Sequence, residues 1–213
     1  IGIFLLMIIG VSAINIGYVV KSESSPTSNE LFIKNLLTNK GYEVEMFEES
    51  FNADSYDAII VSDSIDNIEG IFNNLNHKTL FLSGQAAKET GLGDQHGITQ
   101  VKKVQINNVQ NIITEEYNRD DYEIYDPQSY LGYIFNCLGQ GSTSLISKTG
   151  NLGKSVLLVF EENSLLIDTT ISNPNCNDRN VLLNEKNLFL GFHSSEKWNE
   201  EGENLFFKSL DWL

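Results

Sequence analysis

Hydrophobic and polar positions follow two rhythms along the chain, and the change from one to the other falls near Ile98. Ahead of it, apolar runs of strand length alternate with helical patterns. Ile14-Asn15-Ile16-Gly17-Tyr18-Val19-Val20 is β-branched and aromatic and predicts a first strand. Thr27 and Glu30 stand at capping-box spacing, which predicts a helix start, because each side chain then satisfies an orphan amide of the first turn. Leu31, Phe32, Ile33, Leu36 and Leu37 fall on one face of that helix, and Gly41 sits where a left-handed C-terminal cap belongs. Tyr42 to Phe47 alternates as a strand. Asp57 to Ser62 and Lys78 to Ser83 are short apolar runs of the kind covered on both faces, with a helical pattern from Ile65 to Leu75 between them.

Beyond Ile98 the texture is that of hairpins. Val101 to Ile106, Tyr122 to Tyr125, Tyr133 to Leu138, Thr143 to Ser147, Val156 to Phe160 and Leu165 to Thr170 predict short strands linked by Gly and Asn turns. Asn187 to Phe192 returns to the buried type, and Asn199 is placed to cap a closing helix whose Leu205, Phe206, Leu210 and Leu213 share a face. Alternating strands and helices imply right-handed crossovers and a parallel sheet. The expected fold is therefore α/β: a flavodoxin-like or Rossmann-like, mostly parallel sheet with helices on both faces and an antiparallel strand-rich insert in the second half.

The opening stretch bears on compartment. Twenty residues precede the first charge, Lys21, and Val11-Ser12-Ala13 offers small residues at the spacing a signal peptidase accepts. A bilayer needs about 20 apolar residues. If Ile14 to Val20 belong to a strand, about 13 remain, too few to span it at the helical rise. Residues 1–13 are therefore expected to be a signal peptide and residues 14–213 a single α/β domain, secreted or held at the cell surface. An uncleaved anchor is the alternative, and the membrane would be met only through it.

Charge narrows the partners. With 29 acidic against 14 basic residues, a formal charge of -15, the chain repels phosphate backbones, so nucleic acid is not an expected partner. Residues 115 to 126 hold six acids and one Arg, without the spacing of a calcium loop, and read as a solvated acidic loop. Tyr117, Tyr122, Tyr125, Tyr130 and Tyr133 interleave with or follow them, either as packing or as a patch for an unknown protein or carbohydrate ligand. The loop Ser22 to Ser28 stands where flavodoxin-like proteins cradle phosphate, but it lacks glycines and carries Glu23. A capped helix entry explains it better, and no cofactor is expected. His77 and His96 share no ligand spacing with His193, so no metal site is expected either.

Three stretches together resemble a known family. "IGYVVKSESSPTSNELFIKNLLTNKGYEVEMF", then "DAIIVSDS" with "KTLFLSG", then "LFLGFHSSEKWNEEGENLFFKSLDWL" are similar to the class I glutamine amidotransferase-like fold, and more narrowly to the non-catalytic version carried in large secreted or surface proteins. Catalytic members place a Cys on a tight strand-to-helix turn, beside backbone amides that stabilise an oxyanion, and complete the triad with a late His-x-Glu pair. Here the turn reads Ser83-Gly84-Gln85-Ala86-Ala87, without Cys, and His193-Ser194-Ser195-Glu196 has one residue too many. The resemblance implies the scaffold without its chemistry: a non-enzymatic module for recognition, adhesion or assembly. The alternative is a hydrolase or amidotransferase-like enzyme using His193 and Glu196 with Ser83 or Cys137 as nucleophile. Cys137 and Cys176 form a candidate disulfide, which an exported protein would favour.

Overall fold

The first apolar strand after residue 13 is β1 (Asn15–Val19), with all but its first residue buried. A computed structural model of the chain describes residues 14–48, 53–65, 76–167 and 179–213. Residues 1–13, the expected signal peptide, and nearly all of the helical pattern from Ile65 to Leu75 lie outside the described residues, as does Cys176.

β1 lies between β2 (Glu43–Phe47) and β3 (Ala58–Val61), and β3 is followed by β4 (Thr79–Phe81), every pair parallel. The late strand β12 (Asn187–Leu190) adds to β4, again parallel. Two helices flank these elements in sequence: α1 (Ser28–Asn39) and α3 (Glu200–Trp212). Alternation of side chains along β1 sends Ile16 and Tyr18 to one face, where they join Ile33 and Leu37 of α1 and Leu205 and Phe206 of α3. Val19 points to the other face and joins Ile59, Val61, Phe81 and the alanines of the short helix α2 (Gly84–Glu89). Each fully buried Ile, Leu or Phe stabilises this arrangement by about 1.5–3 kcal/mol relative to exposure.

On the far side of β12 the sheet turns antiparallel. The long β10 (Asn151–Ile167) pairs with β12, and β9 (Gln140–Lys148), β6 (Lys103–Ile106) and β7 (Asp121–Glu123) follow in order. A branch leaves β10: β8 (Ser129–Leu138) touches it at Lys154 and Ser155 and then carries β5 (Gly93–Val101), while β11 (Arg179–Leu182) pairs with the end of β10.

The α/β expectation therefore holds in its coarse form, as a mixed sheet with few helices among the described residues. The expected mostly parallel sheet is corrected: five strands are parallel neighbours and the remainder pair antiparallel. Val156 to Phe160 and Leu165 to Ile167, expected to belong to two strands, lie on the single β10, whose register shifts at several points let one strand bend past successive partners; residues 168–170 of the second expected strand lie outside the described residues. Among the described residues no helix is long and apolar enough to cross a membrane.

Candidate functional site

Parallel strands deliver their carboxyl ends to one edge, and at this edge β3, β4 and β12 hand over Ser62-Asp63-Ser64, Ser83 and His193. Each of these side chains has a specific surrounding.

Glu30 is the innermost charge. It belongs to the first turn of α1, is fully buried, and completes the capping box with Thr27, whose amide donates to Oε2 at 2.6 Å. Its Oε1 accepts the hydroxyls of Ser62 at 2.9 Å and Ser64 at 2.5 Å. Burial alone would raise its pKa, but these donors and Thr27 outweigh it, and the carboxyl is held below its ordinary value. Glu30 thus fastens the start of α1 to the exit of β3 as a charged, satisfied acceptor.

Asp63 and His193 form a second pair, with Nδ1 3.9 Å from Oδ2 and both side chains nearly buried. Burial raises the Asp63 pKa, while His193, the Ser194 amide and the Ser62 hydroxyl work against that rise and the Glu30 charge adds to it. Burial lowers the His193 pKa; Asp63 opposes this and His96 adds to it. Burial also lifts the phenols of Tyr18 and Tyr125, with the Asp63 charge contributing to both. Tyr125 donates its hydroxyl to the Tyr130 carbonyl at 2.7 Å.

The other ring nitrogen of His193 decides what the pair can do. Nε2 is buried and has no hydrogen-bond partner among the described residues. Gly132 of β8 stands directly over it: a Cβ there would lie 2.6 Å from Nε2. The approach is fixed by the Gly132 amide donating to Gly191 O at 2.7 Å and by a bridge between Leu131 and Phe192. The antiparallel insert thus covers the imidazole from above, leaving no room for a substrate atom at Nε2.

Ser83 is equally committed. It is the N-cap of α2, accepting from the Ala86 amide at 3.1 Å, and its hydroxyl donates to Ile65 O at 2.6 Å. The next side chain but one, Gln85, bonds Glu89 at 2.5 Å and His96 Nε2 at 2.9 Å. Glu196 is exposed in the short 3-10 turn Ser195–Lys197 and faces the side-chain amide of Asn29. The carboxylate that His193 meets is Asp63. Cys137 lies buried on β8, its amide donating to Asp94 at 2.9 Å. Its candidate partner Cys176 is outside the described residues. In the loop from Ser22 to Ser28, the Glu48 carboxylate accepts the Ser22 hydroxyl at 3.2 Å and the Glu23 amide at 2.9 Å, so the protein's own anion occupies that corner. Among the described residues no group of three or more His, Cys, Asp or Glu is placed to hold a metal ion.

Sequence reasoning singled out His193 but not Asp63 or Gly132. The legible signal for Asp63 was its position: an acid flanked by two serines, immediately after a buried strand, at the edge where open α/β sheets build their sites. Gly132 had no local signal, because its role depends on a strand 60 residues away in the chain.

No family model matches the chain, and no curated protein matches it. Solved structures do. One is PurLQS from Thermotoga maritima, which has a glutamine amidotransferase-type subunit, at TM-score 0.51 and 10% identity over 94% of this chain and 99% of the matched one. Another is a cold-adapted β-galactosidase from Rahnella sp. R3, at TM-score 0.50 and 10% identity over 92% of this chain; the match spans 30% of that enzyme's chain. At such identity the likeness concerns the fold alone: the chain shares an overall arrangement of strands and helices with the matched PurLQS chain, and its late histidine is roofed by an antiparallel insert.

Proposed function

We propose that the chain is a non-catalytic α/β module of an exported protein, serving recognition, adhesion or assembly within a larger surface protein. The observation that carries the reading is the cover over His193: a general base must reach the proton it removes, and Nε2 faces Gly132 instead. Ser83, bound on both sides by the cap of α2 and Ile65, supports it. The apolar opening with Val11-Ser12-Ala13 supports export.

A competing reading as a hydrolase or amidotransferase-like enzyme has the buried Asp63 and His193 pair in its favour, since perturbed pairs of this kind gather at catalytic sites. An assay of the whole chain for ammonia release from glutamine, and for hydrolysis of simple esters and amides, separates the two. The expected rate equals the buffer blank. A rate above it that disappears in His193→Ala would establish the enzyme. Export is tested apart from this, by N-terminal sequencing of secreted protein, with a new terminus expected at or near Ile14.

A further inference from the structure

His193 is held from two sides that differ in what they offer a proton. Nδ1 faces the Asp63 carboxylate at 3.9 Å, which places the proton of the neutral ring there. Nε2 is buried, has no hydrogen-bond partner among the described residues and lies against Gly132 of β8. A lone pair facing the glycine is merely unused. An N–H in the same place is an unsatisfied donor on a charged ring, and a buried charge whose donor has no acceptor is costly to keep.

The cover that creates this difference is held locally. β8 and β5 pair with each other from Leu138 and Gly93 to Ser129 and Val101, whereas among the described residues β8 meets β10 only at Lys154 and Ser155. Over the histidine, β8 is tied to the exit of β12 by the Gly132 amide, which donates to Gly191 O at 2.7 Å, and by the bridge of Leu131 to Phe192. Titratable and charged groups act on His193 from the other elements. Asp63 leaves β3 beside Nδ1, and the Glu30 charge of α1 acts on Asp63 in turn. His96 comes from β5, under the influence of Lys88 and Glu89 of α2. The phenols of Tyr18 on β1 and of Tyr125 sense the Asp63 charge. From β8, Leu131 and Gly132 bring neither a charge nor a side-chain acceptor.

We infer that His193 is an acid-operated latch: proton uptake at Nε2 lifts the β8 and β5 ribbon from the exit of β12, breaking the bond from Gly132 to Gly191 and the bridge from Leu131 to Phe192. In the lifted state Nδ1 keeps Asp63 while the Nε2 proton reaches water. That state therefore binds the proton better than the closed one, and by linkage the proton favours it. Burial holds the closed imidazole below its ordinary pKa, in the order this requires; Asp63 opposes the effect, and His96 adds to it. The step is a local opening that leaves the parallel strands in place. It makes access to the Asp63 and His193 pair depend on pH, and it does not rest on the proposed function.

The test is residue-resolved amide hydrogen exchange of the full chain at closely spaced pH values between about 7 and 5, corrected for the intrinsic exchange rate at each pH. Below 6.5, the ordinary value of the imidazole, protection of the Gly132 amide is expected to fall by up to about tenfold per pH unit, the slope of a single proton. The amides of Tyr18 and Ile60, central in β1 and β3, should keep their protection. His193→Gln, which cannot take up the proton, should lose the slope, and His96→Gln should retain it. Protection of Gly132 that is independent of pH overturns the latch, as does a slope that persists in His193→Gln or vanishes in His96→Gln. Simultaneous loss at Gly132, Tyr18 and Ile60 overturns it too, because the whole fold is then opening. The wild-type comparison of these three amides decides the matter even where a variant fails to fold.

Discussion

Gly132 and His193 meet so closely that a single methyl on the glycine would stand 2.6 Å from Nε2 of the imidazole. The contact joins the parallel half of the sheet to its antiparallel insert, because β8 crosses the exit of β12 at this point. Gly132→Ala is expected to destabilise the fold by about 1–3 kcal/mol, as overpacking of a closed interior does. Adding His193→Ala should relieve much of that cost, and chemical denaturation of the two single variants and the double variant measures the coupling.

Ser83 holds the first turn of α2, and its loss should act on stability rather than on any turnover. Ser83→Ala removes one acceptor for the Ala86 amide and one donor to Ile65 O, with an expected cost of about 1 kcal/mol. Thermal unfolding checks this. Ser83→Asn, which can restore the cap, should recover part of the loss.

Glu30 gathers the Thr27 amide and the Ser62 and Ser64 hydroxyls at the edge. Glu30→Gln keeps the shape but removes the charge that Thr27, Ser62 and Ser64 converge on, and is expected to cost about 1.5–3 kcal/mol near neutral pH. Since its folded pKa lies below 4.5, the stabilisation is full above that value and is lost as pH falls through the folded pKa. Denaturation of the wild type and the variant should therefore converge in acid.

The signs for the buried pair run in opposite directions. His193 is depressed below 6.5 in the fold, so as pH falls past 6.5 the unfolded chain takes up a proton that the folded one refuses, and stability drops. Asp63 is raised above 3.8, so between its raised value and 3.8 the folded chain is the better proton acceptor, and falling pH returns stability there. His193→Gln should abolish the first loss and leave the second effect in place. Unfolding midpoints at closely spaced pH values between 7 and about 4 give the comparison.

The parts of the fold that were legible in the sequence are those set by local chemistry. Thr27 and Glu30 announced the capping box that forms, Gly41 takes the left-handed conformation expected of it at φ 94°, and the run from Ile14 to Val20 supplies β1, paired in parallel between β2 and β3. α2 and β5 were missed. α2 is only six residues long, too short for a helical period to show, and β5 mixes polar and apolar residues because it stands at an edge with most of its length partly exposed. The site was legible in half. His193 lies in the sequence beside a telling strand end, whereas the two features that define its state, Asp63 across the edge and Gly132 above it, are contacts between strands far apart in the chain.

The most direct measurement is chemical modification of the folded chain's three histidines by diethyl pyrocarbonate, mapped by mass. The His77 side chain is 22% exposed and should be modified, while His193, 13% exposed with Nε2 buried beneath Gly132 and Nδ1 turned to Asp63, should react far more slowly until the protein is unfolded. Modification of His193 in the folded chain at the rate of His77 would mean that its imidazole is open to reagents, and would contradict the reading of this site as structural.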